Sequence, residues 1–380
     1  MQFRDLKRQY NTLQTDIDSA IKEVISSSAF IMGKPVVELE EELARYVGVR
    51  HCVACANGTD ALVIALKVWG VGKGDAVFVP DFTFFASAEA VSAVGATPVF
   101  VDVDSKTFNI SPIDLETKIA ETFAIDRLCP KAILAVDLFG LPANYDALQQ
   151  IATKYRLRLL EDAAQGFGGY IDTRKACSFG DIATTSFFPA KPLGCYGDGG
   201  ALFTNNDEWA TLARSYRMHG KGDNKYDNVR IGMNSRLDTL QAAILKVKFK
   251  AFASYELDAV QQIANRYTDN LQAVVQTPFV PQGFASSWAQ YTIVLDDEKM
   301  RNNLQNHLKA SGIPSMIYYP KPIHEQDAYS TTIIDKPAAY PNTEKLCKTV
   351  LSLPMHPYLA TDEVDRISEA VAKVIGKPVE

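Results

Sequence analysis

The chain reads as an α/β protein: a mostly parallel sheet with helices on both faces, followed by a smaller α+β domain. Three observations lead there. Short apolar runs alternate with helical periodicity through the first part, helix-sized stretches separate those runs, and the patterning changes to mixed strand and helix toward the end. At 380 residues and 47% hydrophobic content the sequence supports two domains with a large buried core. The expected division is a large domain with an N-terminal arm over residues 1–245 and a small C-terminal domain over 246–380.

The elements follow in order. Val36, Leu39, Leu43, Tyr46 and Val47 recur at helical spacing, Cys52 to Ala56 reads as a strand, and ALVIALKVW after Asp60 returns to a helical period. Ala76 to Val79 and Pro98 to Val103 read as buried strands around a helical stretch, Ala86 to Val94. Ala132 to Leu138 reads as a strand, Tyr145 to Tyr155 as a helix, and the run ending at Asp162 as another buried strand. From Arg236 a long amphipathic pattern leads out of this domain. Trp288 to Leu295 then reads as a strand, Asp297 to Ser311 as a helix, Pro314 to Tyr319 as a strand and the end as helix.

Composition narrows the function classes. A net charge of -6 with scattered basic residues gives no footprint for nucleic acid. No apolar run approaches the roughly 20 residues that span a bilayer, and MQFRDLKRQY lacks an apolar signal core, so a cytoplasmic location away from membranes is expected. Six cysteines without secretory features point to reduced thiols. Cys52 and Cys55 lie three apart in a strand and so face opposite ways, which suits neither a bridge nor a shared metal. With no second pair and no histidine cluster, no metal site is expected.

Ligands of parallel sheets gather at the carboxyl ends of the strands, and several candidates stand there. Lys191 lies in SFFPAKPLGCYGDGG, a lone amine among aromatics, proline and glycines. A free lysine, with a pKa of about 10.4, is a poor nucleophile near neutrality, so a working lysine is usually desolvated or held as an imine. Asp162 ends an apolar strand in LLEDAAQGFGG with Gln165 close behind, and a buried carboxylate needs a cationic partner. Lysine with a distant carboxylate is the pair that pyridoxal phosphate requires. Taken singly, each also fits a plain structural role. Gly58 and Thr59 open a helix after a small polar turn, a start that cradles phosphate or is simply capped. Phe82, Phe84 and Phe85 follow another strand end, where one ring could stack on a planar cofactor, and Ser186 could bind a phosphate oxygen. Neither G-x-G-x-x-G after the first strand nor a P-loop is present. The glycine run Gly194 to Gly200 is expected to let backbone pass close to the cofactor site.

The ordered set FRDLKRQY, AFIMGKPVVELEEELA, CANGTDAL, LLEDAAQGFG, SFFPAKPLGCYGDGGALFTN, RIGMNSRLDTLQAAIL, MIYYPKPIH and LSLPMHPYL resembles the DegT/DnrJ/StrS-type nucleotide-sugar aminotransferases along nearly the whole chain. These are pyridoxal phosphate (PLP) enzymes of the aspartate aminotransferase fold, fold type I. The resemblance implies that Lys191 bonds the cofactor and then moves a proton between cofactor and sugar, and that Asp162 contacts the ring nitrogen. It implies Gln165 beside the ring, Phe84 stacked on it, Gly58, Thr59 and Ser186 on the phosphate, and Asn234 completing that site from a second subunit of a homodimer. It further implies that Arg236, Tyr318 and Tyr319 contact the sugar nucleotide from the neighbouring chain and that Phe30 and Ile31 line its nucleotide end. The implied reaction is transamination of a nucleotide-linked keto sugar with L-glutamate as donor. The loop around Lys191 is most similar to the subgroup aminating carbon 3 of UDP-2-acetamido-3-oxo sugars, the uronate form included. A dTDP-linked 3-oxo-6-deoxyhexose and carbon 4 amination are the alternatives. Three departures bear on the sugar: Ala190 where many relatives have serine, Asn228 where histidine is frequent, and Tyr318 where some uronate-sugar members carry histidine. A sugar dehydratase of this fold would replace Lys191 with histidine, and a regulatory protein on the same scaffold would be expected to lose catalytic groups.

Overall fold

The computed structural model describes residues 1–125, 127–224, 226–330 and 339–376. Two helices, α1 (Leu6–Ser27) and α2 (Lys34–Val47), precede an alternating series. That series is β1 (His51–Cys55), α3 (Gly58–Val68), β2 (Asp75–Pro80), α4 (Ala86–Ala93), β3 (Thr97–Val101), α5 (Pro112–Ile125), β4 (Cys129–Val136), α6 (Tyr145–Tyr155) and β5 (Arg158–Asp162). The short β6 (Tyr170–Ile171) and β7 (Arg174–Lys175) lead to β8 (Ile182–Ser186), β9 (Gly200–Thr204) and α7 (Asp207–Tyr216).

Seven strands form one sheet in the order β1-β9-β8-β5-β4-β2-β3. Pairs β2–β3, β2–β4, β4–β5 and β5–β8 are parallel, as the continuous apolar runs predict for strands covered on both faces. β9 is antiparallel to both β1 and β8. The physical reason is the connection: the segment 187–199 carries no crossover helix, so the chain returns beside β8 in the opposite sense. That return loop holds Lys191. Alternate residues of β1 enter different cores. Val53 and Cys55 pack with α3, while Cys52 and Ala54 pack in a core that includes Val36, Leu39 and Leu43 of α2. The two cysteines are therefore free, buried and on opposite faces.

The chain then continues through α8 (Thr239–Ala251), a π-helical turn (Phe252–Glu256) and α9 (Leu257–Leu271). β10 (Phe284–Ala285) joins β6 and β7, and β11 (Tyr291–Val294) pairs antiparallel with β12 (Val350–Leu353). α10 (Glu298–Ala310), α11 (Pro341–Thr349) and α12 (Thr361–Ile375) complete the described elements. Tyr267, Tyr291, Leu304, Leu351 and Ile367 anchor a separate core here. We propose the large and small domains on these separate cores; α8 itself runs unbroken through residue 245.

Two expectations for this second part need correction. Pro314 to Tyr319 is not a strand: only Met316 bridges Ser352, and flanking prolines remove donors that a ladder needs. The strand expected from Trp288 starts at Tyr291, because Trp288 takes a left-handed conformation with φ 52. No described helix is long and apolar enough to cross a membrane.

One glycine fixes how the sheet meets the α3 turn. Gly200 pairs with Cys55, and a Cβ there would fall on the Asn57 carbonyl, a backbone group with no room to yield. Gly200→Ala is therefore expected to destabilise the protein by about 1–3 kcal/mol, measured by denaturant titration; an unchanged midpoint would contradict this packing.

Candidate active site

Asp162 and Ser186 are the last residues of neighbouring strands β5 and β8, so their side chains stand at the same end of the sheet. Asp162 is 5% exposed. Its Oδ2 accepts from Ser87 Oγ at 2.9 Å and its Oδ1 from the Ala164 amide at 3.1 Å. Burial pushes this carboxyl up, while Ser87, Ala164 and the charge of Lys191 act the other way. Ser87 was not visible as a site residue in the sequence; it lies on α4, 75 positions away.

Lys191 is held by a tight turn in which its amide donates to the Phe188 carbonyl at 2.8 Å. Burial pulls its amine down, Asp162 raises it and Arg4 lowers it. Among the described residues the amine has no hydrogen bond or ion pair. Desolvation favours the neutral amine, the form that bonds a carbonyl carbon. The glycine run serves the loop itself: a Cβ on Gly194 would press on the Phe188 and Pro189 carbonyls.

Gln165 ties three segments together. Its Oε1 accepts from the Phe139 amide at 2.7 Å, its Nε2 donates to Tyr319 Oη at 3.1 Å, and its own carbonyl accepts from Ser287 Oγ at 2.6 Å. Phe84, 55% exposed, tilts against Tyr319 with ring centroids 6.2 Å apart. Tyr318 meets Tyr319 at 5.7 Å, so both tyrosines stand beside Gln165 of their own chain, where a neighbouring chain was expected to bring them. The tyrosines are brought here by Asp81 and His324. The Asp81 carboxylate accepts from the His324 amide at 2.8 Å and lies 2.6 Å from His324 Nδ1, which joins the 316–324 stretch to the end of β2.

A second group lies beside this one. Asn57 Oδ1 caps α3 by accepting from the Asp60 amide at 2.8 Å, which leaves the Gly58 and Thr59 amides at the positive end of the helix without intrahelical acceptors. Gly58 approaches Ser186 so closely that a Cβ on it would sit 2.7 Å from the serine Cβ. Gly58, Thr59 and Ser186 therefore form one cluster of amides and hydroxyls. Asn234, Arg236, Phe30 and Ile31 are not among these contacts. Ile31 bridges Asp238 and the Phe30 carbonyl accepts from the Thr239 amide at 2.9 Å, so these residues share an exposed flank. Ser235 anchors that flank to the Ala56 amide at 3.1 Å, and Asn234 itself is exposed.

This set of groups fits a phosphorylated aldehyde cofactor. Two free helix-end amides with two hydroxyls suit a phosphate, a buried carboxylate suits a protonated ring nitrogen, and an unpartnered amine suits an aldehyde carbon. Among the described residues no cluster of His, Cys, Asp and Glu is placed to hold a metal.

The fold is α/β, with an amine, a buried carboxylate and a helix N-terminus gathered at one end of its sheet. Residues 11–372 match the DegT/DnrJ/EryC1/StrS aminotransferase family, and the chain belongs to that family. It is 44% identical over 98% of its length, and 99% of the relative's, to a protein of Pseudomonas aeruginosa named UDP-2-acetamido-2-deoxy-3-oxo-D-glucuronate aminotransferase. It is 40% identical to a Geobacillus stearothermophilus protein named Pleiotropic regulatory protein, covering 97% of each chain. Among solved structures, a DegT DnrJ EryC1 StrS aminotransferase from Brucella abortus matches with a TM-score of 0.96 and 49% identity over 99% of this chain and 100% of that one. A Bacillus subtilis relative with bound cofactor PMP matches with a TM-score of 0.88 and 30% identity over 97% of this chain and 83% of that one.

The Asp81–His324 contact carries a pH dependence. Burial pulls the imidazole down, but the Asp81 carboxylate outweighs it and holds His324 above its ordinary value. A histidine raised in the folded state contributes stability that is full below about pH 6.5 and is lost as pH rises through its folded pKa. The melting temperature of the natural protein should therefore exceed that of His324→Gln most at pH 6 and converge toward it by pH 9. A gap that widens with pH would contradict the ion pair.

Proposed function

We propose that this chain is a PLP-dependent aminotransferase that aminates carbon 3 of a UDP-linked 2-acetamido-2-deoxy-3-oxo sugar, the uronate or a near relative, with L-glutamate as donor. The observation that carries the reading is the joint placement of an unpartnered Lys191 amine, the buried Asp162 carboxylate and the Gly58–Thr59–Ser186 cradle at one end of the sheet. The bound cofactor would supply an aldehyde carbon for reversible amine exchange and a ring that accepts electrons.

The chain's own groups then take definite roles. Lys191 Nζ would hold the cofactor through its aldehyde carbon and would accept and return a proton at the substrate carbon. Asp162 would pair with the ring nitrogen, with Ser87 and the Ala164 amide fixing its orientation. Gly58, Thr59 and Ser186 would bind the phosphate and Phe84 would cover the ring, next to the Tyr319 that Gln165 fixes. Arg236 on the exposed flank offers a planar fork to the nucleotide's phosphates, with Tyr318, Phe30 and Ile31 as further contacts.

A second copy of the chain completes this site in our reading. Ile231 is 87% exposed and Phe188 52%, and the flank with Asn234 and Arg236 adjoins the first of these. An apolar rim of this kind is covered most simply by a two-fold partner, which would deliver Asn234 to the phosphate.

The name of one relative favours a regulatory reading, but the retained Lys191, Asp162 and phosphate cradle favour catalysis. The deciding assay supplies glutamate, PLP and three keto sugars: the UDP-3-oxo-uronate, a dTDP-3-oxo-6-deoxyhexose and a 4-oxo nucleotide sugar. The UDP-3-oxo sugar is expected to give amino sugar with stoichiometric 2-oxoglutarate, and Lys191→Ala to lose at least about 10²- to 10⁴-fold in turnover. Transfer to none of the three, or full activity in Lys191→Ala, would overturn the reading.

A further inference from the structure

Arg4 stands outside the roles assigned above, yet its side chain grips the backbone at Lys191 itself. Its Nη2 donates to the Lys191 carbonyl at 2.7 Å and to the Pro192 carbonyl at 3.3 Å, across 187 positions of sequence in the first case. Its neighbour Phe3 reaches other segments. The Phe3 carbonyl accepts from the Met355 amide at 3.2 Å, and the Phe3 ring meets Tyr318 edge-on at 6.2 Å. Two adjacent residues thus join the lysine loop to the segment after β12 and to a candidate substrate tyrosine.

We propose that Arg4 is a positioning residue for Lys191, holding its loop through two carbonyls and placing a fixed positive charge beside the amine. The proposal rests on Lys191 being the reactive amine. Arg4 forms no ion pair among the described residues, so no carboxylate in direct contact cancels its charge. Burial pulls the guanidinium down to about 10, with Glu256 opposing, and it remains charged at neutral pH. Glu256 is already engaged: its Oε1 accepts from Gln9 Nε2 at 2.8 Å and from Tyr358 Oη at 2.6 Å.

The other groups around the pair sort by charge. Asp162, on β5, is the anion facing Lys191 and favours the protonated amine. Arg4 opposes it. Behind Arg4, Lys248 of α8 is pulled down to about 8 by burial and by Arg4. His356, after β12, is pulled down to about 4 by burial, Arg4 contributing, and is neutral at working pH. Asp5 and Arg8 are the remaining charges near His356, with Glu363 beyond them. Removing Arg4's charge leaves Asp162 less opposed, so more of the Lys191 amine is protonated at a given pH.

The test follows Lys191 directly. The full chain, as natural protein, Arg4→Met and Arg4→Lys, is freed of cofactor and acetylated with acetic anhydride across pH 7 to 10. Peptide mass spectrometry gives the rate at Lys191 relative to exposed Lys73. The plateau of the rate–pH curve reports access, and its midpoint reports protonation. Arg4→Met is expected to move the midpoint to higher pH, slowing Lys191 on the order of threefold at pH 8 relative to its own plateau, and Arg4→Lys to keep the natural midpoint. A midpoint unmoved or lowered in Arg4→Met, or moved equally in Arg4→Lys, would overturn the proposal. If melting shows that Arg4→Met does not fold, Glu256→Gln serves instead: it leaves Arg4's charge less opposed and should lower the midpoint, and no shift would overturn the proposal. The same preparation supplied with PLP separates the two readings, since a natural protein that develops no visible band fails the cofactor reading while its labelling curve still decides the role of Arg4.

Discussion

An amine and a carboxylate, both taken out of water at one end of a sheet, form the constraint on which this structure depends. Burial alone drives each toward its neutral form, and each charge partly restores the other. The protein holds them near each other without a direct ion pair: Asp162 is occupied by Ser87 and Ala164, and the Lys191 amine has no partner among the described residues. A lysine paired tightly to a carboxylate would be a poor nucleophile. Separation with residual attraction leaves the amine free of a tight ion pair.

The fold supplies that arrangement through one irregularity. Five strands of the sheet are parallel neighbours in sequence-like succession, but β9 returns against β8, so the loop between them stays at the strand ends instead of crossing to the other edge. Lys191 rides on this loop, beside the end of β5. Close backbone approaches then lock the start of α3 against the sheet: Gly200 against Asn57 and Gly58 against Ser186. The 316–324 stretch brings Tyr318 and Tyr319 across by way of Asp81 and His324. The site is therefore assembled from segments far apart in the chain, each held by buried polar contacts whose loss would be costly.

What the sequence made legible follows from the range of each signal. Strand ends, a helix start and a lysine among glycines are local patterns, and Asp162, Gly58, Thr59, Ser186 and Lys191 all fall in such patterns. The parallel strands were legible because covering both faces makes them continuously apolar. The supporting contacts were not legible, since Ser87 to Asp162 spans 75 positions, Ser287 to Gln165 spans 122 and His324 to Asp81 spans 243. Each supporting residue is an ordinary serine or histidine until folding brings its partner near. The misread strand at Pro314 to Tyr319 has the same origin: its apolar and aromatic residues are selected for packing against the large sheet's core, which local pattern does not distinguish from pairing.

The most direct measurement of the central claim is chemical trapping at the amine. The purified protein is incubated with PLP, reduced with borohydride and digested, and the modified peptide is mapped by mass spectrometry. A single phosphopyridoxyl group on Lys191 is the expected result; modification at other lysines with Lys191 untouched would contradict the account.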